Sequence, residues 1–304
     1  MHQLGRKWAT VLIPKVGPVR FRLTRSWADV QKATSATVTK DPTGAWHVAL
    51  TCIPPVFTRT ATGVSTGVDR GVANSTATSQ GKMGQAPGWT DGEQDRFLVL
   101  ARRMSRQRKG SNRRNRTRVS LAKLHATLAN RRTHWAQMAA NELVLGFDLI
   151  AFEDLRTANM VAKPKPKPDP HRPGVFLPNG AGAKAGLNKA ILGSCWGQVA
   201  AMVTYKAAST PQDARTVVVR VNPHNTSRRC HACGHIAPGN RQSQAVFECV
   251  ECGHQAHADT NAARNILRLG LLQVLPTEVC GRSDRERTRQ PRAKTRAAST
   301  PKAA

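Results

Sequence analysis

Apolar residues in the first fifty positions fall into short, interrupted runs. Residues 9–13 and 19–23 read as strands, broken by Pro14 and by Gly17-Pro18. Residues 35–40 and 46–52 read as a hairpin around Asp41-Pro-Thr-Gly44, which has turn chemistry. These few strands make a small β unit that is unlikely to fold well alone. A second region opens at Val64-Ser-Thr-Gly-Val-Asp-Arg-Gly-Val72, an apolar strand with a polar interruption, and residues 76–79 are its candidate hairpin partner. Residues 95–145 read as two helices joined near Gly110-Ser-Asn112, with Leu121, Leu124, Leu128 and Trp135 forming one apolar stripe. Leu149–Leu155 is the next strand. One helix is expected over Ala185–Ala208, with Leu187, Ile191, Trp196 and Val199 towards the core. A strand over 216–221 and a helix from about Asp259 to Leu269 follow. Strands, helices, strand, helix, strand and helix in that order predict an α/β fold, a mixed layer around a central sheet.

Charge changes the picture. The 304 residues carry 47 Lys and Arg against 18 Asp and Glu, a formal charge of +29. Self-repulsion of that size opposes compaction and calls for a polyanionic partner. Nucleic acid fits, because phosphate contacts reward dispersed cations through counterion release. Between Arg102 and Arg132 there are 12 Lys or Arg and no acid, so the helical stretch carries a basic face above its apolar stripe. Residues 161–182, with Lys-Pro-Lys-Pro-Lys-Pro, read as a mobile basic loop or lid. Residues 281–304 have no periodicity and read as a disordered basic tail. No run of 18 apolar residues occurs, and the start lacks an apolar leader segment. The cysteines are therefore read in a reducing, cytoplasmic setting, where metal binding outranks disulfides.

Cys230-His-Ala-Cys233 and Cys249-Val-Glu-Cys252 are separated by 15 residues, the spacing of a four-thiolate zinc site. Gly234 and Gly253 follow the pairs and permit tight knuckles. His231, His235, His254 and His257 lie nearby, but four thiolates already complete a tetrahedral shell. Such a closed shell folds a ribbon and leaves no position for reactive water. Cys52, Cys195 and Cys280 lack partner spacing and read as ordinary thiols.

In so acid-poor a chain, a carboxylate inside an apolar strand needs a reason. Asp69 and Glu153 sit in such strands, and Asp259 opens a helix just after the cysteines. Clustered at a sheet edge they would repel one another unless divalent cations bridged them. Each has a plainer reading: Asp69 as a turn residue before Gly71, Asp259 as a helix N-cap. Asp154 competes with Glu153, and strand alternation lets only one of the two join a cluster.

Five stretches together resemble a known family. They are Val11-Leu-Ile-Pro-Lys-Val-Gly17, Gly67-Val-Asp-Arg-Gly-Val72, Phe152-Glu-Asp-Leu155, the segment from Val221 through Asn-Pro-His-Asn-Thr-Ser to Gly234, and Asp259-Thr-Asn-Ala-Ala-Arg-Asn-Ile266. In order and content they are similar to TnpB, the OrfB proteins of insertion sequences, relatives of the type V CRISPR nucleases. The likeness covers roughly residues 5–270. It implies an RNase H-like (RuvC) sheet with an inserted zinc ribbon and a β wedge remnant. It implies a first, second and third catalytic acid at Asp69, Glu153 and Asp259, holding Mg2+ or Mn2+. It also implies structural Zn2+ on Cys230, Cys233, Cys249 and Cys252, a DNA substrate and a guide RNA.

On that basis residues 1–60 form a partial wedge and 61–225 the nuclease core. Residues 226–256 form the ribbon, 257–272 the last core helix and 273–304 the tail. The family's upstream recognition part is expected to be missing from this chain. The leading expectation is a metal-dependent DNA endonuclease. The alternative is a truncated, non-catalytic DNA- or RNA-binding regulator. A strand-joining transposase using the three acids is a third reading. Tyrosine-type transposition is disfavoured, because the only tyrosine, Tyr205, falls on a helix expected to be buried.

Overall fold

Asp41 does what its turn sequence requires. Its Oδ1 accepts the amides of Thr43 at 2.8 Å and Ala45 at 3.0 Å, closing the hairpin between two long strands. In this computed structural model, which describes residues 1–53 and 56–274, the N-terminal part is two small antiparallel sheets. The first holds β1 (His2–Gly5), β2 (Trp8–Ile13) and β3 (Gly17–Arg22). After a short helix α1 (Trp27–Gln31), the second holds β4 (Ala33–Lys40) and β5 (Trp46–Cys52).

The main body is a mixed α/β layer. Its elements are β6 (Ser65–Asp69), β7 (Thr76–Thr78), β8 (Met83–Gly84), α2 (Asp91–Arg106), α3 (Asn112–Gly146), β9 (Leu149–Glu153) and α4 (Thr157–Met160). Then come β10 (Lys167–Pro168), β11 (Phe176–Leu177), α5 (Ala181–Gly193), α6 (Trp196–Ala208), β12 (Val217–Val221), β13 (Val246–Glu248), β14 (Gln255–His257) and α7 (Ala258–Val274). The central sheet has the order β12-β9-β6-β7-β8. Strands β12, β9 and β6 run parallel, β7 returns antiparallel to β6, and β8 turns back antiparallel to β7.

Strand alternation decides what each face covers. Val68, Ile150 and Phe152 enter a core with Ala136, Ala140, Leu143 and Val144 of α3 and Val199 and Val203 of α6. Leu149, Ala151 and Val221 point the other way, against Ile266 of α7. Two glycines let α7 lie close on that side. A Cβ at Gly67 would stand 2.0 Å from the Ala263 carbonyl oxygen, and one at Gly270 would stand 2.5 Å from the Ala151 Cβ.

Several expectations need correction. The strand from Val64 stops at Asp69, because the Gly71 amide turns back to the Asn74 carbonyl at 3.0 Å. The helix expected over 185–208 is two helices. Cys195 between them has a left-handed backbone (φ 61°), which no α-helix accommodates. Ile191, Trp196 and Val199 are buried as expected, but Leu187 is 47% exposed because α5 covers the body with its other side. Tyr205 is also exposed, its hydroxyl beside Gln137. The 161–182 segment is tied rather than loose. Strands β10 and β11 pair, and Asp169 Oδ1 accepts the His171 amide at 2.9 Å in the turn between them. The expected tail at 281–304 and Cys280 lie outside the described residues.

Gly67→Ala drives its methyl into α7 backbone, which cannot yield as a side chain can. It should cost about 3 kcal/mol, the upper part of the usual overpacking range. Gly92→Ala in α2 meets nothing within 4 Å and should stabilise by about 0.5–1 kcal/mol. Thermal melting of the two variants checks the contrast.

Candidate functional site

Asp69 and Glu153 end adjacent parallel strands. Val68 pairs with Phe152, so the next residue of each strand is an acid leaving on the α7 side. Asp259 lies in the first turn of α7, at the same end of the sheet. All three are buried, with exposures of 9%, 7% and 5% respectively. Asp154 is exposed and takes no part, as alternation requires. Neither plainer reading suffices: Asp69 is the last strand residue and Asp259 sits inside the helix.

Burial dominates the electrostatics. It pushes Asp69 from 3.8 up to about 7, and the charges of Glu153 and Asp259 push the same way against Arg241. Burial also raises Glu153, opposed by the Thr226 hydroxyl and by Arg70 and Arg241. Among the described residues, only the four cysteines bring three or more metal-ligand atoms within 4.8 Å of one another.

Four neighbours hold the acids, and the sequence reading assigned none of them a role. Asn74 Nδ2 donates to Asp259 Oδ2 at 2.9 Å, and Arg241 Nη2 pairs with Asp259 Oδ1 at 3.1 Å. Thr226 Oγ1 donates to Glu153 Oε1 at 2.5 Å. The Arg70 guanidinium donates to the Glu153 carbonyl. Asn74 lies in the β6–β7 turn and Arg241 in the spacer between cysteine pairs, where nothing local marks them. Thr226 lies in the Asn222-Pro-His-Asn-Thr-Ser stretch, which sequence did single out.

The cysteines form a separate centre. Sγ of Cys230 is 3.8 Å from that of Cys252, and Cys233 is 3.6 Å from Cys249. A disulfide would need about 2.05 Å, whereas four sulfurs at a bond length of about 2.3 Å around one ion lie about 3.8 Å apart. The group can therefore hold a metal ion. Gly234 (φ 84°) and Gly253 (φ 69°) make the two knuckles by donating to the carbonyls of Cys230 and Cys249, both at 2.9 Å. Although burial opposes ionisation of Cys249, the amides of Cys252 and Glu251 outweigh it, and the thiol falls to about 6. His231 and His254 pack on each other, their ring centres 4.8 Å apart, and stay out of the group.

The ribbon is bonded to α7. Asn261 Nδ2 donates to the Arg229 carbonyl at 2.8 Å, and its Oδ1 accepts the His231 amide at 3.0 Å. Asn265 Nδ2 reaches the carbonyls of Thr226 and Arg229. Asn240, fully buried, joins the knuckles by donating to the Arg228 carbonyl and accepting from the Val250 amide.

A mixed α/β body with three buried acids and a four-cysteine ribbon is thus the class of protein at hand. Two family models match it: OrfB of insertion sequence IS605, described as "Probable transposase", over residues 48–163, and "Cas12f1-like, TNB domain" over residues 196–266. The chain therefore resembles the OrfB proteins of insertion sequences.

It is 31% identical to the Escherichia coli (strain K12) protein named "Putative RNA-guided DNA endonuclease InsQ", over 88% of this chain and 64% of that one. It is 28% identical to a Streptomyces pristinaespiralis protein named "Putative RNA-guided DNA endonuclease", over 84% of this chain and 57% of that one. The chain therefore spans less than two thirds of the length of either relative. A Cas12f1–sgRNA–target DNA complex aligns at 14% identity with a TM-score of 0.40, covering 83% of this chain and 58% of that one.

The raised Asp69 has a consequence for stability. Between its ordinary pKa of 3.8 and about 7, the folded chain holds a proton that the unfolded chain releases. Stability should therefore fall as pH rises through that window and stay low above it. Without added divalent cations, melting temperature should drop across the window. Asp69→Asn should flatten the slope and melt higher at about pH 8. An unchanged slope in that variant overturns the assignment.

Proposed function

We propose that this chain is the core of a transposon-associated, metal-dependent DNA endonuclease, with Asp69, Glu153 and Asp259 holding Mg2+ or Mn2+. The observation that carries the reading is the burial of three carboxylates at one end of the sheet, with Asp69 displaced to about 7. Strained carboxylates of this kind gather at functional sites. Divalent ions held there would supply an activated water and charge neutralisation for attack on a phosphodiester.

This chain's own residues supply the positioning. Asn74 and Arg241 hold the two oxygens of Asp259, and Thr226 holds one oxygen of Glu153, so both carboxylates have fixed orientations. Arg241 also supplies positive charge beside all three acids, available to a phosphate.

In the same proposal the main body is an RNase H-like (RuvC) core and the cysteines hold structural Zn2+. The first two sheets are a β wedge, and the ribbon and α7 complete the core. DNA and a guide RNA are the partners, in keeping with the printed names of the relatives. The basic α2–α3 hairpin suits such partners, although part of its charge is internal. Arg131 pairs with Glu93 at 2.5 Å, and Arg114 caps the end of α2 at the Gln107 carbonyl. No helix among the described residues is long and apolar enough to cross a membrane.

Purified protein with single-stranded DNA and Mg2+ is the direct test. Asp69→Ala and Glu153→Ala should each lower cleavage by at least about a thousandfold, on the scale of losing a central catalytic group. Cleavage undiminished in Asp69→Ala ends the reading. Metal analysis should find about one zinc per chain, lost in Cys233→Ser. That loss should also lower cleavage, because the ribbon anchors the helix that carries Asp259.

A further inference from the structure

Asp259 differs from Glu153 in how its oxygens are used. Both are taken by side chains of this protein. Asn74 Nδ2 donates to Oδ2 at 2.9 Å, and Arg241 Nη2 donates to Oδ1 at 3.1 Å. The partner of Glu153 Oε1 is the neutral Thr226 hydroxyl. Among the described residues, Asp259 is the one acid of the three with a cationic side chain on a carboxylate oxygen.

The ribbon holds that cation in place. The Arg241 guanidinium also donates to the carbonyls of Ser243 and Gln244, each at 3.3 Å. Its backbone bridges to Phe247, whose ring is fully buried in the ribbon. The residue before it, Asn240, is fully buried and bonded to Arg228, His235 and Val250 around the two knuckles. The charge is therefore built into the spacer between the cysteine pairs and pressed on Asp259 from outside the sheet. The arginine side chain is 28% exposed and the aspartate 7%, so the guanidinium stands on the solvent side of the pair.

A carboxylate oxygen that accepts from a guanidinium has less to offer a divalent ion. The lone pairs are partly engaged, and two cations on one oxygen repel. A divalent ion that uses Asp259 must displace Arg241 from Oδ1 or bind beside a fixed positive charge. The same charge offsets part of the cost of holding three buried acids together. Arg241 and a divalent ion thus neutralise the same acids from the same place, and each excludes the other.

We propose that Arg241 is a resident counter-ion of the acid cluster, which competes with divalent cations for Asp259 and so sets how tightly the cluster holds them. Arg241 acts here through Asp259, as a positioning residue. The proposal rests on the reading that the three acids bind divalent ions, and adds that the protein itself holds their affinity down.

The test is Mn2+ binding to the full-length chain without nucleic acid, read from the electron paramagnetic resonance of free Mn2+. Arg241→Gln keeps a polar side chain and removes the charge. It should bind Mn2+ about tenfold more tightly than wild type, the middle of the range for groups in direct contact. Arg241→Lys keeps the charge and should bind no more tightly than wild type. Asn74→Ala frees the other Asp259 oxygen with no change of charge, and it too should gain nothing. Thermal melting gives a second reading. Without divalent ions Arg241→Gln should melt below wild type, and Mn2+ should raise its melting temperature by more. An arginine that only holds Asp259 in place predicts the opposite sign, weaker Mn2+ binding once it is removed. Unchanged or weaker binding in Arg241→Gln, or a gain in Arg241→Lys, overturns the proposal. If Glu153→Gln still abolishes Mn2+ binding in that case, the metal site stands without it. Mn2+ binding that Glu153→Gln leaves intact overturns the metal site and this proposal together.

Discussion

Like charges shut away from water repel, and everything around Asp69, Glu153 and Asp259 follows from holding three of them at one place. An isolated buried carboxylate neutralises itself by taking up a proton, and Asp69 shows that tendency. The others are held in position by hydrogen bonds: a hydroxyl on Glu153, and an amide and a guanidinium on Asp259. One positive side chain, Arg241, stands where it attracts all three acids. Holding three carboxylates together out of water is costly.

The cost has to be met elsewhere, and α7 is where it is met. The helix carries Asp259 and is held on two sides. Towards the sheet, Gly67 and Gly270 permit backbone contact that any side chain would prevent. Towards the ribbon, Asn261 and Asn265 use buried hydrogen bonds, which are expensive to break because the partners stay desolvated. The ribbon has little core of its own: Cys230, Phe247, Cys249 and Ala258 are its buried apolar residues. Its shape thus depends on the four sulfurs, and the position of Asp259 depends on its shape.

What could be read from sequence was what local geometry or composition determines. Two cysteine pairs with following glycines specify their own knuckles, so the ribbon ligands were evident. Acids within apolar strands stand out against a hydrophobic background, so Asp69 and Glu153 were evident as oddities. Their register, which makes them neighbours, is tertiary and was not. The break at Cys195 was invisible because the residues from Ala185 to Ala208 keep a helical apolar rhythm across it. The turn follows from Trp196 reaching Gly71 and from Arg132 lying against Gly193. The order in β10 and β11 was missed because proline and lysine dominate the composition there, while a single residue, Asp169, organises the turn. Asn74 and Arg241 come from loops more than 160 residues apart and meet only at Asp259.

The excess of positive charge also divides more sharply than composition suggests. Part of it is structural: Arg59 is sealed against Asp148, Arg70 is spent on a backbone carbonyl, Arg131 ties α3 to Glu93 of α2, and Arg132 ties it to Pro87 before α2. Such arginines would be needed whatever the protein bound. Arg132, Lys163, Lys184 and Lys189 line a cavity between the α2–α3 hairpin and α5 whose lining holds no acid. Cations left unpaired in a folded chain raise its self-energy, and an aromatic and apolar lining adds nothing that would relieve them. A polyanion would relieve them, which is how the charge excess bears on the proposed nucleic-acid partners.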